Sequence, residues 1–435
     1  MDKLRNVEGP LFALATGTFF LWFYQVPTVY VTAIYLGLFG LLFLLKRPVI
    51  DYVAILLFSV FGRRSQVEVS FILVGVLLIG LTIGRLREKQ FVMGRLLIPM
   101  AAYGLYAALS TLWAPRTLDA LAGVFMLLEG YLVYVILTNS GWKPKEEDKE
   151  RVSKLATFLL LTLTMEILTL YVQHGFTETL YKKYLVDLGW GFSNLIAVTY
   201  TFFLPVAFAK YLDRDTYRPL YYLLDVVNVC GLLLTQSRGA IVGVMVGLLL
   251  YVPLTCNRDY LKKYYPLLLG IVPFALLFFE PYVLEVINRF IKPDILDDNN
   301  RFPLYELAFE KFKERPLFGY GYKSSEYFIN TILKRSNAYY HNYILQIAAT
   351  LGVTGLFLQG ILHYLWVRLF MKRDPFLFCL ALGVLSALVH QLVDVSYDRF
   401  YFGLFLYFLI GMAELFRHHD GEDSWKMKRF STTNR

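Results

Sequence analysis

The sequence predicts an all-α polytopic membrane protein. Its 435 residues are 57% hydrophobic and 18% charged, whereas a soluble domain holds about 25% charged residues. Apolar runs of about membrane-spanning length recur along most of the chain. The 32 tyrosines and 36 phenylalanines suit the aromatic belts that form at membrane interfaces. Cys230, Cys256 and Cys379 form no CxxC pair, so neither a disulfide framework nor a zinc site is indicated.

Fourteen apolar segments are candidate spans, and we expect about 12–14 transmembrane helices because one of them, 49–62, is short. The first segment follows Lys3 and Arg5 without a small-residue cleavage site, which predicts a span rather than a removed signal peptide. In order, the segments cover 10–23, 27–45, 49–62, 68–84, 95–113, 119–138, 154–173, 192–210, 219–235, 239–255, 264–279, 342–367, 375–393 and 400–416.

Clusters of lysine and arginine predict the orientation of these spans. With this set of spans every cluster falls on one side, which the positive-inside rule assigns to the cytoplasm, and an even count puts both termini there. The formal net charge of +9 is therefore mainly a topology signal and gives no case for nucleic-acid binding. The clusters lie at 85–89, 143–154, 210–218, 258–263, 368–373 and 426–430.

The topology divides the chain into four parts. They are N-terminal transmembrane helices (1–279), one large periplasmic loop (280–341), C-terminal transmembrane helices (342–416) and a cytoplasmic tail (417–435). The large loop balances nine acidic residues with nine basic ones and is too long for a simple connection, so we expect it to be functional.

Aromatic residues recur at helical spacing within this loop, just after Pro303. They predict an amphipathic helix lying on the outer membrane surface. A helix packed on its own small loop domain is the alternative. The aromatic residues are Phe302, Tyr305, Phe309 and Phe312.

Arg238 is the only charged residue between positions 226 and 257. Polar residues at 235–239 divide this tract into two apolar halves, which puts Arg238 at a turn on the outer face, in the first turn of a helix that Ser237 can cap. A guanidinium at a helix N-terminus forms an anion site. The alternative is an arginine that snorkels to lipid phosphates.

Three outward-facing motifs follow one another along the chain, and their order resembles that of the O-antigen ligase superfamily. This superfamily also contains O-antigen polymerases and pilin oligosaccharyltransferases. The resemblance covers about residues 95–416, whereas 1–85 holds more apolar segments than we expect of the family. The motifs are TQSRGA at 235–240, NR at 300–301 with RPLFGYG at 315–321, and HNYILQ at 341–346 with GVTGL at 352–356, with weaker agreement at STLWAP (110–115), NLIA (194–197), His390 and Asp394 in the penultimate span.

The resemblance implies a GT-C-type glycosyltransferase of the bacterial inner membrane. It would move a glycan from undecaprenyl diphosphate to an acceptor at the periplasmic face. An O-antigen ligase with lipid A-core as acceptor is favoured because one large loop carries both Arg301 and His341. An O-antigen polymerase, which would extend a lipid-linked repeat unit, is the close alternative. A flippase of lipid-linked sugars would predict internal repeats and charges within several spans, whereas the sequence shows no convincing repeat and its candidate arginines and His341 lie at outer helix ends.

The leaving diphosphate needs positive charge in the transition state. Arg238 and Arg301 could clamp it with two guanidinium forks and without a metal or other cofactor. The adjacent acidic pair Asp297 and Asp298 is more typical of a turn than of a metal site. An ordinary loop ion pair with one of these two acids is the alternative for Arg301.

His341 is the predicted catalytic residue. Its imidazole can act as the general base that activates the acceptor hydroxyl, and the residue directly precedes a span. A packing or capping histidine is the alternative. His390 either faces the cavity with Asp394 or anchors a helix end, and these two are the next candidates for the base. The other predicted substrate contacts are Gln236, Ser237, Lys323, Tyr340 and Asn342.

Overall fold

The computed structural model describes residues 2–62, 67–88, 94–211, 219–255, 301–335, 339–371, 374–397 and 399–419, and these residues are almost entirely helical. The helices of the first half are α1 (Asp2–Phe23), α2 (Thr28–Leu44), α3 (Val49–Ser59), α4 (Val67–Glu88), α5 (Leu97–Ser110), α6 (Thr117–Asn139), α7 (Glu146–His174) and α8 (Phe176–Tyr181). Those of the second half are α9 (Ser193–Phe208), α10 (Pro219–Leu234), α11 (Arg238–Thr255), α12 (Phe302–Glu314), α13 (Ser325–Phe328), α14 (Tyr343–Phe370), α15 (Pro375–Gln391) and α16 (Phe400–His419).

The predicted all-α polytopic membrane fold is confirmed. By length and composition, four helical segments among the described residues can cross a membrane: Thr117–Asn139, Glu146–His174, Ser193–Tyr211 and Tyr343–Phe370, the last of which is broken at Gly352. Six further apolar stretches are shorter, at 10–17 residues. The total of 12–14 spans stays a prediction. The candidate span 264–279, the loop section 280–300 and the last residues of the tail lie outside the described residues.

Three of the predicted cytoplasmic connections, among the described residues, meet at one end of the helix bundle. Lys149 Nζ lies 2.7 Å from a carboxylate oxygen of Asp374, the residue that caps α15 by accepting a hydrogen bond from the Leu377 N–H. Lys154 and Lys210 both lie over the ring of Tyr221, with Nζ 5.1 and 5.4 Å from its centroid. Residues from three of the predicted cytoplasmic connections therefore share this end of the molecule.

The opposite end gathers the predicted outer turns. The Ser193 hydroxyl, at the start of α9, donates a 2.6 Å hydrogen bond to the carbonyl of Thr235 in the turn before α11. The indole N–H of Trp22, near the end of α1, donates to the carbonyl of Leu188, 3.2 Å away in the loop between α8 and α9. This end also carries the described part of the large loop, because Ser110 at the end of α5 accepts a hydrogen bond from the Tyr322 N–H.

Small residues let the central helices approach closely. A Cβ atom on Gly130 of α6 would lie 2.7 Å from the backbone of Gly403 in α16. One on Gly243 of α11 would lie 2.6 Å from the carbonyl oxygen of Ser386 in α15. Such close contact supplies van der Waals attraction where burial against lipid gives no hydrophobic driving force. These contacts hold α6 against α16 and α11 against α15.

The span predicted over 342–367 is broken at Gly352, so the prediction of one continuous helix was wrong. Gly352 has φ 66° and ψ −164°, which is a glycine region of the backbone map and not a helical one. The Tyr343 hydroxyl lies 3.4 Å from Nε2 of His363, although 20 residues of straight helix would separate them by about 30 Å. α14 is therefore a hairpin of two helices, 343–351 and 353–370.

Two of the predicted motifs contact each other at this reversal. The Gly321 N–H donates to the carbonyl of Thr350 and the Val353 N–H donates to that of Pro316, each at 2.8 Å. A Cβ atom on Gly352 would lie 2.5 Å from the carbonyl group of Leu317. The RPLFGYG segment therefore lies across the turn of the hairpin and ties the large loop to it.

The aromatic helix of the large loop is α12, and it packs on a small core that the loop forms with α14. Its buried residues are Leu304, Leu307 and Ala308, whereas Phe302 and Phe309 are about half exposed. The aromatic residues that defined the prediction thus do not form the buried face. Contact of these exposed rings with the membrane surface stays a prediction. The small core comprises Leu304, Leu307, Ala308, Phe328, Ile329, Tyr340 and Ala349.

Candidate active site

Asp394 is the centre of a polar cluster at the outer end of the bundle. It lies just beyond the end of α15 at Gln391, and not within the span as predicted. Its Oδ1 lies 2.9 Å from Nδ1 of His341, and its Oδ2 accepts a 2.5 Å hydrogen bond from the side-chain amide of Asn194. The guanidinium of Arg301 is 3.9 Å from Oδ2. Side chains that are far apart in the sequence therefore converge on one carboxylate.

The charge state of Asp394 decides which tautomer His341 adopts. Burial raises the pKa of the Asp394 carboxyl, but the hydrogen bond and charge of His341, together with His390 and Arg301, lower it by more, to about 2. The group is therefore ionised near neutral pH and can only accept hydrogen bonds. Nδ1 of a neutral His341 must then carry the hydrogen, which leaves the lone pair on Nε2.

Local backbone geometry directs His341 toward this cluster. His341 has φ 54°, a left-handed conformation that is uncommon for residues other than glycine. The next residue, Asn342, caps α14, with its side-chain oxygen 3.0 Å from the Leu345 N–H. The amide of Asn342 also donates to the carbonyl of Leu392, 3.1 Å away. Asn342 thus fixes the start of α14 against the segment that carries Asp394.

Arg301 lies at the N-terminus of α12, where its carbonyl accepts the N–H groups of Leu304 and Tyr305. Its side chain is 24% exposed, so a ligand can reach the guanidinium. The predicted alternative, a pair with Asp297 or Asp298, falls outside the described residues. Among those that are described, Asp394 is the carboxylate within ion-pair distance of Arg301.

Ser237 and Arg238 begin α11 beside this cluster. The Ser237 hydroxyl accepts a long 3.4 Å hydrogen bond from the Ala240 N–H, as predicted for a helix cap, and lies 3.5 Å from Nε2 of His390. Arg238 is the first residue of α11 and is exposed. His390 is buried, and its Nδ1 has no hydrogen-bond partner among the described residues. His390 therefore links the start of α11 to the segment that carries Asp394.

Three other predicted contacts lie away from Asp394. The amide of Gln236 donates to the Tyr171 hydroxyl and to the carbonyl of Thr179, which fixes the turn before α11 against the α8 region. Tyr340 is buried in the small loop core, where its N–H donates to Gln346. Lys323 has φ 57° and packs on α6, because a Cβ atom on Gly123 would lie 2.7 Å from its Cδ. These positions support the architecture around the site.

Asn194 and Lys183 were not among the predicted site residues. Asn194 occurs in the weakly matching NLIA segment, which was the only available signal. Lys183 is one of two adjacent lysines in a loop, and nothing in its local sequence sets it apart. The structure places its Nζ 2.6 Å from the side-chain oxygen of Asn194.

The described residues contain no group of three or more His, Cys, Asp or Glu side chains suited to hold a metal ion. Asp297 and Asp298 are outside that search. Positive charge reaches the described cluster from Arg301, at the N-terminus of α12, and from Lys183, which is bound to Asn194.

Comparison with known families supports the predicted resemblance. Residues 223–360 match the family model described as O-antigen ligase, and this range includes Arg238, Arg301 and His341. Asn194 and Asp394 lie outside it. No curated protein matches the chain. The match supports an enzyme of the O-antigen ligase or polymerase type that acts on lipid-linked glycans in a membrane. Residues 223–360 are thus similar to the O-antigen ligase family, and this range is narrower than the 95–416 over which the motifs predicted a resemblance.

Proposed function

We propose that the protein is an O-antigen ligase of the GT-C type. It transfers a glycan from undecaprenyl diphosphate to lipid A-core at the periplasmic face of the bacterial inner membrane. The observation that carries the proposal is the pairing of His341 with Asp394 beside Arg301. An imidazole oriented by a buried carboxylate is a general base, and a neighbouring guanidinium is suited to a diphosphate.

The transfer is a direct displacement. Nε2 of His341 takes the proton of the acceptor hydroxyl as its oxygen attacks the anomeric carbon of the donor sugar. The bond from this carbon to the diphosphate breaks, and undecaprenyl diphosphate leaves with the electron pair. One displacement inverts the anomeric configuration. Asp394 stabilises the imidazolium that forms, in the way that a buried aspartate does in other base–carboxylate pairs.

Arg238 and Arg301 stabilise the charge that builds up on the leaving diphosphate. Both lie at helix N-termini, where backbone N–H groups add to the attraction for an anion. Their forked donors can each take two phosphate oxygens. In this proposal the arginines supply the positive charge that a divalent metal supplies in other lipid-linked transferases.

The test is transfer by purified protein from a lipid-linked donor, with lipid A-core and a lipid-linked repeat unit offered as separate acceptors. Wild-type protein should extend lipid A-core. His341→Ala should lose transfer by about 10²–10⁴-fold, the usual contribution of a general base, while donor binding in nanodiscs stays near the wild-type level. His174→Ala, an exposed histidine at the end of α7, is the matched control and should be fully active.

Each outcome of this test discriminates between functions. Extension of the lipid-linked repeat unit in place of lipid A-core would identify a polymerase. Loss of donor binding in His341→Ala, with the remaining turnover unchanged, would make His341 a donor ligand and not the base. Undiminished transfer by His341→Ala would refute the proposed mechanism.

A further inference from the structure

We propose that Lys183 and Asn194 are positioning residues for this reaction: they hold Asp394 so that it orients His341 and stays off Arg301. This inference rests on the proposed function. It extends the site to the loop between α8 and α9, which lies outside the matched family domain.

The hydrogen-bonding groups of Lys183, Asn194 and Asp394 allow only one orientation of the Asn194 amide. An ammonium group only donates and a carboxylate only accepts. The side-chain amide of Asn194 lies between the two, 2.6 Å from Lys183 Nζ through its oxygen and 2.5 Å from Asp394 Oδ2 through its nitrogen. Any flip of the amide would set donor against donor and acceptor against acceptor. The Asn194 orientation is therefore fixed by its two neighbours.

The two oxygens of Asp394 are thereby both engaged. Oδ1 holds His341 and Oδ2 holds Asn194. The Arg301 guanidinium at 3.9 Å from Oδ2 is beyond hydrogen-bond distance. Arginine and carboxylate otherwise form strong forked pairs, so a small rotation of Asp394 would capture Arg301. Such capture would remove both the orientation of His341 and the positive charge offered to the donor.

The backbone around Asn194 is built to keep this geometry. Asn194 lies in the first turn of α9, directly after Ser193, whose hydroxyl is bound to the carbonyl of Thr235. Lys183 begins a short 3₁₀ helix, Lys183–Leu185, in the preceding loop. The adjacent Lys182 instead pairs with Glu178 in an exposed i, i+4 ion pair. Lys182 and Lys183 therefore give a matched comparison of a surface lysine and one directed to the site.

The test is the steady-state kinetics of purified variants, titrated with the lipid-linked donor. Asn194→Ala should lower kcat by about 10–100-fold, the usual effect of removing a group that orients another, and should raise the KM for the donor. Lys183→Met should show a smaller loss of the same kind, and Lys183→Arg should recover most of it. The double variant should be no worse than Asn194→Ala, since Lys183 acts through Asn194. Lys182→Met should match the wild type.

Wild-type kcat and KM in Asn194→Ala would overturn the inference. So would additive losses in the double variant, because they would mean that Lys183 acts independently. A fall in the thermal unfolding midpoint that accounts for the lost activity, with no recovery in Lys183→Arg, would assign the pair a purely structural role. The proposed function fails separately, by retained activity in His341→Ala, and it stands if the Asn194 and Lys183 variants alone are fully active.

Discussion

Asp394 shows how a single carboxylate can set the roles of its neighbours. Buried carboxylates are costly unless each oxygen is paired, and Asp394 is hydrogen-bonded by Asn194 of α9 and His341 before α14, with Arg301 at the start of α12 nearby. The resulting negative charge selects the His341 tautomer and limits where Arg301 can go. Removal of any one donor should therefore alter the other contacts as well.

Arginine and lysine should not be interchangeable at positions 238 and 301. A lysine keeps the charge but loses the fork that binds two phosphate oxygens, so Arg238→Lys and Arg301→Lys should each lower kcat/KM by about 10²-fold or more. Arg116→Lys is the control, because Arg116 is an exposed arginine near the start of α6 that pairs with Asp119. Donor titration of the purified variants gives the values. Wild-type kcat/KM in a position-238 or position-301 variant would remove that arginine from the site.

Acidification should remove the stabilisation that the ionised Asp394 carboxylate gives to the fold. Its pKa falls from 3.8 to about 2 on folding, so the ionised form is the one that the fold favours. The resulting stabilisation, about 2 kcal/mol, is fully present above about pH 4 and is lost as the pH falls through about 2. The unfolding midpoint of wild type should exceed that of Asp394→Asn at about pH 5. This difference should shrink below about pH 4. A difference that is unchanged at pH 2–3 would contradict the assigned charge state.

At the scale of elements, the break at Gly352 lets one apolar stretch serve two purposes. The helix 343–351 follows His341, the proposed general base, and packs with the loop core through Ala349. The helix 353–370 is about 27 Å long, close to the thickness of the hydrocarbon core. The reversal between them holds the RPLFGYG segment, so the loop and the membrane helices share one joint.

Gly352→Ala should disrupt this joint. The substituted residue would have to keep φ 66° and would bring its Cβ 2.5 Å from the Leu317 carbonyl group, at a cost of about 1–3 kcal/mol in strain alone. Gly360→Ala is the matched control in the same element, because nothing lies within 4 Å of a Cβ atom there. Thermal unfolding and transfer activity should both fall for Gly352→Ala and hold for Gly360→Ala. Equal behaviour of the two variants would refute the hairpin.

The hairpin also shows where prediction from sequence stops. Apolar residues continue on both sides of Gly352, and single glycines are common in membrane helices, so composition favoured one continuous span. Only the backbone angles of Gly352 reveal the reversal. In the same way, the sequence placed Asp394 in the penultimate span with His390. The partner that Asp394 in fact takes, His341, is 53 positions away, and no local pattern encodes that contact.

At the scale of the whole molecule, the sequence predicted the fold class better than it predicted single elements or contacts. Long apolar runs and asymmetric charge are properties of whole segments, so they survive errors at individual residues. The motifs predicted that residues 238, 301 and 341 share one end, and the structure places the latter two within reach of one carboxylate. Lys183 was missed because a loop lysine looks the same whether it faces solvent or the site.

The two ends of the bundle should lie on opposite sides of the membrane, with Asp394 and the large loop in the periplasm. Lys149, Lys154 and Lys210 lie at the other end, where Lys149 meets Asp374, and basic residues stay preferentially in the cytoplasm. Single cysteines placed on a background without Cys230, Cys256 and Cys379 test this arrangement. Glu310→Cys lies on an exposed position of α12, and Glu147→Cys lies on an exposed position at the start of α7.

A membrane-impermeant thiol reagent should label Glu310→Cys in cells whose outer membrane alone is permeable. It should label Glu147→Cys only after the inner membrane is disrupted. Both sites are exposed in the fold, so a difference in labelling reports the side of the membrane and not burial. The cysteine-free background should remain unlabelled throughout. The reverse pattern would put His341 in the cytoplasm, where a periplasmic transfer to lipid A-core is impossible, and would refute the orientation and the proposed reaction together.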